Sequence, residues 1–380
     1  MQIGLFVSAQ STIFRQISQI PDRYKRVVSG GLYDAKLDGI RFLAVISVVL
    51  CHISNHTDIY GGFRDSVSFV RANFIYNLFQ GISLLFVLSS YLLSSYLFRN
   101  SIREKIKSYY YRRFIRIFPP YAIVLTICFV VLVFILNKID VENGWEHYLA
   151  SLFFANNFVY PFTHPIIMPI GWTIELEIQF YCILPLFLWV YKKNMALGRG
   201  ITLFSLLLLP PLLGSFDWYE HTFLVFQIPY FMAGVLLADL SLNYKKRKQI
   251  PRWISGTIGS LCLLTLFLLN WYYVELKGVK IDLAPLLILI ALYLMIHHNF
   301  LSKLLCQKWF CFIGNMGYSV YLIHILVISF LGKFTLHIRI GDEFLPNFIL
   351  QCFLLIPAIL IVSTIFYRLV EYPLMQKGKA

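Results

Sequence analysis

The chain has 380 residues, of which 58% are hydrophobic and only 14% are charged. A soluble domain carries about 25% charged residues, so this chain lacks the polar surface that a water-facing globule needs. Its length would allow two or three soluble domains, but the apolar runs point to one bundle of spanning helices. The net charge of +14 would suggest nucleic acid on a soluble protein. On so apolar a chain it follows from lysine and arginine held on the cytoplasmic side of the spans, and no nucleic-acid partner is expected.

The first apolar stretch, Ile3 to Val7, is too short for a secretory signal and has no basic residue before it. Gln10 to Lys36 mixes Ile, Phe and Val with Arg and Gln, which suits an interfacial helix on the membrane surface. The first span, starting near Leu37, is expected to serve as an uncleaved anchor. A span needs about 20 mostly apolar residues. Hydropathy and length place ten, at 37–57, 74–98, 117–137, 172–191, 200–215, 222–240, 253–273, 282–298, 312–332 and 346–368. The stretch 148–171 is apolar but broken by Pro161, Pro165 and Pro169. It reads as a re-entrant or surface segment, tolerated only where protein covers its backbone. Period-two strand patterns are not evident, which argues against a transmembrane barrel. The expected fold is an all-α polytopic bundle, with a 1–36 N-terminal segment, a 37–373 transmembrane domain and a 374–380 tail.

Charge sets the direction. With these spans, 25 lysines and arginines fall on one side and 7 on the other, leaving Arg41 inside a span. Both termini are therefore expected in the cytoplasm. Counting 148–171 as a full span would break the alternation. No internal repeat is visible, which weakens the case for a transporter built from two related halves. The seven cysteines lie in spans or at a basic loop, so no disulfide framework is expected.

Ionisable residues within spans mark candidate sites. Arg41 and His52 share the first span, and eleven helical steps return to nearly the same face with a rise of about 16 Å. An anionic cofactor held at Arg41 would reach His52 with its far end. Equally, the pair fits a snorkelling arginine and a hydrogen-bonded interfacial histidine. His52 and His56 stand i, i+4, but no third ligand is near, and a catalytic zinc needs three, so no metal is expected. Arg112, Arg113 and Arg116 precede Pro119-Pro120; arginine forks suit phosphate, or a lipid-facing topogenic cluster. The fourth span opens with Trp172, Thr173, Glu175, Glu177, Gln179 and Tyr181. Glu175 and Gln179 share a face and Glu177 points elsewhere. The ninth span places Tyr318, Tyr321 and His324 among Gly314, Gly317 and Ser319, which fits a site or a packing stripe. Arg368 and Glu371 are expected to pair at the cytoplasmic interface.

In order, these segments resemble the membrane acyltransferase-3 family, bacterial and animal proteins that O-acylate glycans and other acceptors. The resemblance runs over the whole chain. It comprises Asp38-Gly39-Ile40-Arg41, the Arg-x10-His spacing to His52, Phe86 to Ser89, Arg112 to Pro119, Trp172 to Tyr181, Tyr318 to His324 and Tyr367 to Pro373.

This resemblance implies acetyl-CoA as the donor, bound from the cytoplasm as a co-substrate with no permanently held cofactor. It implies a lipid-linked or surface polysaccharide acceptor, such as the O-antigen of lipopolysaccharide, and residence in the bacterial inner membrane among lipids. By position His52 looks like the catalytic histidine, as base or brief acyl carrier, and Arg41 like a residue that orders the site. Glu177, not Glu175, matches the family's glutamate and would orient His52. Arg112, Arg113 and Arg116 look like CoA phosphate contacts. Trp172, Gln179, Tyr181, Tyr321 and His324 look like acceptor-side contacts.

Ser90-Tyr91 stand where the family often has Gly-Phe, Thr173 stands where Ser is usual, and Glu175 is an extra acid. The chain ends twelve residues after Arg368, so transfer is expected to finish within the membrane domain or with a separate partner. An oligomer is compatible with this pattern. The competing reading is a transporter or flippase of lipid-linked sugars.

Overall fold

The computed structural model describes residues 34–61, 76–161, 163–213, 223–242, 250–269, 273–276 and 279–377. The interfacial helix expected from Gln10 lies outside the described residues up to position 33, as do the loop charges Arg64, Arg71, Lys245 to Lys248 and Lys277. Among the described residues, seven helices are long and apolar enough to cross a membrane. They span Ala35–Gly61, Asn77–Arg99, Ile102–Ile135, Gly171–Lys193, Leu224–Leu242, Gly317–Thr335 and Phe344–Lys377. Three shorter apolar helices, Met195–Leu207, Arg252–Phe267 and Ala284–His297, fall at the other three expected positions.

The site depends on α1 (Ala35–Gly61), α2 (Gln80–Arg99), α3 (Ile102–Val130), α4 (Val141–Leu152) and α5 (Gly171–Lys193). After these come α6 (Met195–Leu207), α7 (Leu224–Leu242), α8 (Arg252–Leu264) and α9 (Ala284–His297). The bundle closes with α10 (Lys308–Asn315), α11 (Gly317–Thr335) and α12 (Phe344–Phe366).

The structure differs from the sequence expectation in three places. The expected ninth span is two helices, because the chain turns at Met316 between α10 and α11. The fifth is interrupted at Leu208 and resumes as the short helix Leu209–Leu213, where Pro210 and Pro211 supply no backbone donors to the preceding turn. An antiparallel hairpin pairs Tyr273–Leu276 with Val279–Asp282 in one connection of an otherwise helical fold. Its four-residue strands are too short for a periodic sequence signal.

Packing centres on α1. A Cβ on Gly314 would overlap the carbonyl of Asp38, and one on Gly81 would overlap the carbonyl of Ala44. The backbones of α10 and α2 therefore touch α1 directly, the contact that small residues permit between helices in lipid. A second anchor joins three helices nearer their basic ends. Asp239 of α7 is buried and accepts from Tyr191 of α5 at 3.0 Å and from Arg199 Nε of α6 at 2.7 Å. The half-exposed Arg199 thus pairs with a buried carboxylate.

Between α3 and α5 the chain turns back into the bundle. α4 runs antiparallel along α3, with Tyr148 OH 2.9 Å from Thr126 Oγ1 and Tyr121 OH donating to Ser151 O at 3.0 Å. α5 begins at this same level, since Gly171 lies beside the Tyr121 hydroxyl. α3 and its terminal π turn continue fourteen residues beyond Tyr121, to Ile135. That is roughly 20 Å at 1.5 Å per residue. Ile167, Met168 and Ile170 are buried there, while Phe153, Phe158 and Val159 are exposed, so protein covers the end of the 148–171 stretch next to α5 and not the whole of it. Substituting Gly314→Val is expected to destabilise the fold by about 2 kcal/mol or more through overpacking. Gly256→Ala, which meets open space, should leave the thermal midpoint in detergent at or slightly above wild type.

Candidate active site

At the middle of α1, His52 Nδ1 lies 2.9 Å from the carbonyl of Val48. A carbonyl only accepts, so Nδ1 carries the hydrogen and Nε2 the lone pair. His324 of α11 repeats this arrangement, with Nδ1 3.1 Å from Val320 O. The two ring centroids are 5.0 Å apart at an interplanar angle of 68°. His324 is completely buried, whereas His52 keeps accessible surface although it faces inward. Tyr321 packs 5.6 Å from His324. Its hydroxyl is 2.6 Å from Thr173 Oγ1 and 3.3 Å from Ile170 O.

A basic end adjoins this pair. Arg112, Arg113 and Arg116 are half-buried on α3. The Arg113 guanidinium sits over the Tyr181 ring at 5.9 Å. Tyr109 OH donates to Tyr181 O at 3.1 Å and Tyr110 OH to Cys182 O at 2.9 Å, fixing α3 against α5. Pro119 and Pro120 continue the helix but supply no N–H to the carbonyls of Ile115 and Arg116. Glu177 faces this region. Its Oε1 accepts from Ser89 Oγ at 2.9 Å, and Arg113, Arg116, Tyr318 and Tyr321 lie within its electrostatic range. Arg41, on the face of α1 that also carries His52, is ion-paired with Asp38.

Contacts join Arg113 to Tyr181 and Tyr321, His324 and His52 to one another, while Glu177 lies within electrostatic range of Arg113, Arg116 and Tyr321. Glu177 makes no hydrogen bond to His52; the ring that adjoins His52 is His324. Trp172 is buried between Phe79, at 6.2 Å, and Phe86, at 6.5 Å, with the His164 ring 6.1 Å away. Gln179 Nε2 donates to Asn157 Oδ1 at 2.9 Å, and Glu175 Oε2 accepts from the Asn157 backbone at 3.2 Å. These two side chains therefore latch the returning 154–157 segment onto α5, on the face away from the histidines. Phe154 in that segment holds φ at +56°, a left-handed conformation uncommon for a bulky residue.

Two groups carry more than their sequence context indicated. Ser89 lay in a quoted motif, but a hydroxyl in a span usually signals helix packing, and nothing in the sequence pointed it at Glu177. Glu371 was expected to pair with Arg368. The π turn Tyr367–Glu371 buries Glu371, and its Oε2 accepts from Ser319 N at 3.1 Å and Ser319 Oγ at 2.5 Å. It thereby caps the first turn of α11, the helix of Tyr321 and His324. Among the described residues, no cluster of three His, Cys, Asp or Glu side chains is placed to hold a metal ion.

Residues 34–368 match a family model described as an acyltransferase domain, and the chain belongs to this acyltransferase-3 family. Two of its relatives are the peptidoglycan O-acetyltransferase OatA of Listeria monocytogenes and the O-acetyltransferase OatA of Staphylococcus aureus. The first is 25% identical over 378 residues, covering 91% of this chain and 56% of the relative. The second is 26% identical over 374 residues, covering 90% and 57%. The chain thus spans somewhat over half the length of the curated relatives it matches. No solved structure matches it.

Removing the Gln179 amide should loosen the latched segment. In Gln179→Leu, amide hydrogen exchange is expected to quicken across 153–160, while exchange in 317–326 stays at the wild-type rate.

Proposed function

We propose that this chain is a membrane O-acetyltransferase that moves an acetyl group from cytoplasmic acetyl-CoA to a hydroxyl of a surface or lipid-linked glycan. The observation that carries this reading is the state of His52. Its Nδ1–H is committed to Val48 O at 2.9 Å, so the neutral ring presents an Nε2 lone pair, and the residue is only partly buried. An oriented neutral imidazole of this kind suits general-base catalysis near neutral pH. The names of the relatives add the transferred group and, for the Listeria protein, a glycan acceptor.

In this reading the three shorter helices complete ten crossings, and both termini are cytoplasmic. An even number is what the lysine and arginine asymmetry requires. Arg112, Arg113 and Arg116 hold the phosphates of CoA at the cytoplasmic end, and the pantetheine arm brings the thioester toward His52. His52 Nε2 takes the proton of the acceptor hydroxyl as its oxygen attacks the acyl carbon. The carbon–sulfur bond breaks, sulfur leaves with the electron pair, and the proton passes from His52 to the thiolate. Glu177, tied to Ser89 and facing Arg113 and Arg116, fixes the arginines that receive the donor. Arg41 keeps order at the base of α1 through Asp38. Trp172, Tyr181 and Tyr321 shape the acceptor side, and Gln179 supports it through the latch on 154–157. The unit that acts is 37–373, a multi-pass protein of the bacterial inner membrane.

Inverted membrane vesicles from the native host contain the native acceptor and expose the cytoplasmic face to labelled acetyl-CoA. His52→Ala is expected to lower incorporation of label into base-labile esters by roughly 10²-fold or more, with unchanged membrane level and thermal midpoint. Retained incorporation would remove His52 from the mechanism. Movement of lipid-linked sugar without thioester turnover would favour a flippase instead.

A further inference from the structure

The His52–His324 pair has an unusual hydrogen-bond balance. Both Nδ1 atoms donate to the carbonyl one turn earlier in their own helix, at 2.9 and 3.1 Å. Both Nε2 atoms therefore present lone pairs, and two lone pairs cannot bond each other. His324 Nε2 is buried without a hydrogen-bond partner. An orphaned acceptor of this kind costs about 1–3 kcal/mol. Neighbouring donors are occupied elsewhere: Tyr321 OH by Thr173 and Ile170, and Ser89 Oγ by Glu177. His56 lies a turn further along α1, with its ring against Gly332. What the orphan lacks is a single hydrogen, and the ring beside it, 5.0 Å away between centroids, is the one that gains a hydrogen when His52 acts as the base proposed above.

We propose that His324 is the positioning residue of the acyl transfer, whose Nε2 lone pair receives the N–H of protonated His52. The proposal rests on reading His52 as the general base. When the acceptor O–H breaks, its proton goes to His52 Nε2 and the oxygen forms the new bond to the acyl carbon. The Nε2–H of the imidazolium is shared between the acceptor oxygen and His324 Nε2, and the latter interaction does not exist while both rings are neutral. As the carbon–sulfur bond breaks, the proton leaves His52 for the thiolate and His324 is orphaned again. The interaction therefore appears only as charge develops, so it lowers the barrier without tightening the ground state. His324 itself needs no contact with either substrate.

The test compares His324→Phe, which keeps a flat apolar ring, with His324→Gln, which restores an acceptor oxygen, in inverted vesicles of the native host supplied with labelled acetyl-CoA. His324→Phe is expected to lower kcat on the order of 100-fold, with KM for acetyl-CoA within about twofold of wild type, as for an interaction made only in the transition state. His324→Gln should recover at least about tenfold of that loss. The double variant His52→Ala/His324→Phe should be no slower than His52→Ala alone, because residues acting as one unit are non-additive. Wild-type kcat in His324→Phe, or equal loss in the Phe and Gln variants, would overturn the proposal while His52→Ala remained inactive. Activity in His52→Ala would instead overturn the reading beneath it.

Discussion

Backbone-to-backbone contact around α1 is the constraint on which the rest of the site depends. Gly314 and Gly81 bring neighbouring helices onto the carbonyls of Asp38 and Ala44. A helix gripped in this way cannot slide or rotate without overlap, because packed interiors resist small displacements. Arg41 and His52 are then fixed in height and azimuth relative to every neighbour. The further closeness of α10 and α11, separated only by the turn at Met316, brings the second imidazole to the first. Had the ninth span been one straight helix, the glycine contact at Gly314 and the ring contact at His324 would have had to lie along one axis.

Desolvation governs what these buried groups do. Inside a bundle of this composition a polar atom must find a partner in the protein. Most do: Asp239 gathers Tyr191 and Arg199, Glu371 gathers two donors of Ser319, and Asn347 Nδ2 reaches the carbonyl of Glu343 at 2.7 Å. Such bonds hold helices together. Within the site, His324 Nε2 has no donor, and Glu177 accepts from Ser89 Oγ with two guanidiniums at longer range. An acceptor that the fold leaves without a donor has capacity for a proton.

Much of this was legible in the sequence, because helical periodicity relates residues a few positions apart. Glu175 and Gln179 share a face and both grip the 154–157 segment. Glu177, two residues from Glu175, faces the opposite way toward Ser89. Arg113 and Arg116, three apart, both face Glu177. The positions of the apolar helices were legible for the same reason, and the prolines of 148–171 marked where the chain leaves regular structure. What remained hidden are relations between helices. His52 and His324 are far apart in the chain, and no periodicity links them. Glu371 turns toward Ser319 through a π turn, a one-residue change of register that shifts every later side chain around the axis. The hairpin at 273–282 was hidden because its strands are four residues long.

The path of the chain between α3 and α5 links the fold to the direction of the proposed transfer. α4 comes back along α3 as far as Tyr121, and α5 begins at that level. One crossing is thus divided between a short helix and a long one, with irregular backbone where they meet. Thr173, in the first turn of α5, touches Tyr321, which in turn flanks His324. The break in the helix therefore lies beside the histidines. Irregular backbone at such depth is stable only where protein covers it or water reaches it. Protein covers part of it here, since Ile167, Met168 and Ile170 are buried. An uninterrupted α5 would fill this space with side chains from one more turn. With the break instead, the proposed transfer would meet irregular backbone beside His324, while the latch by Glu175 and Gln179 holds the 154–157 segment on the opposite face of α5.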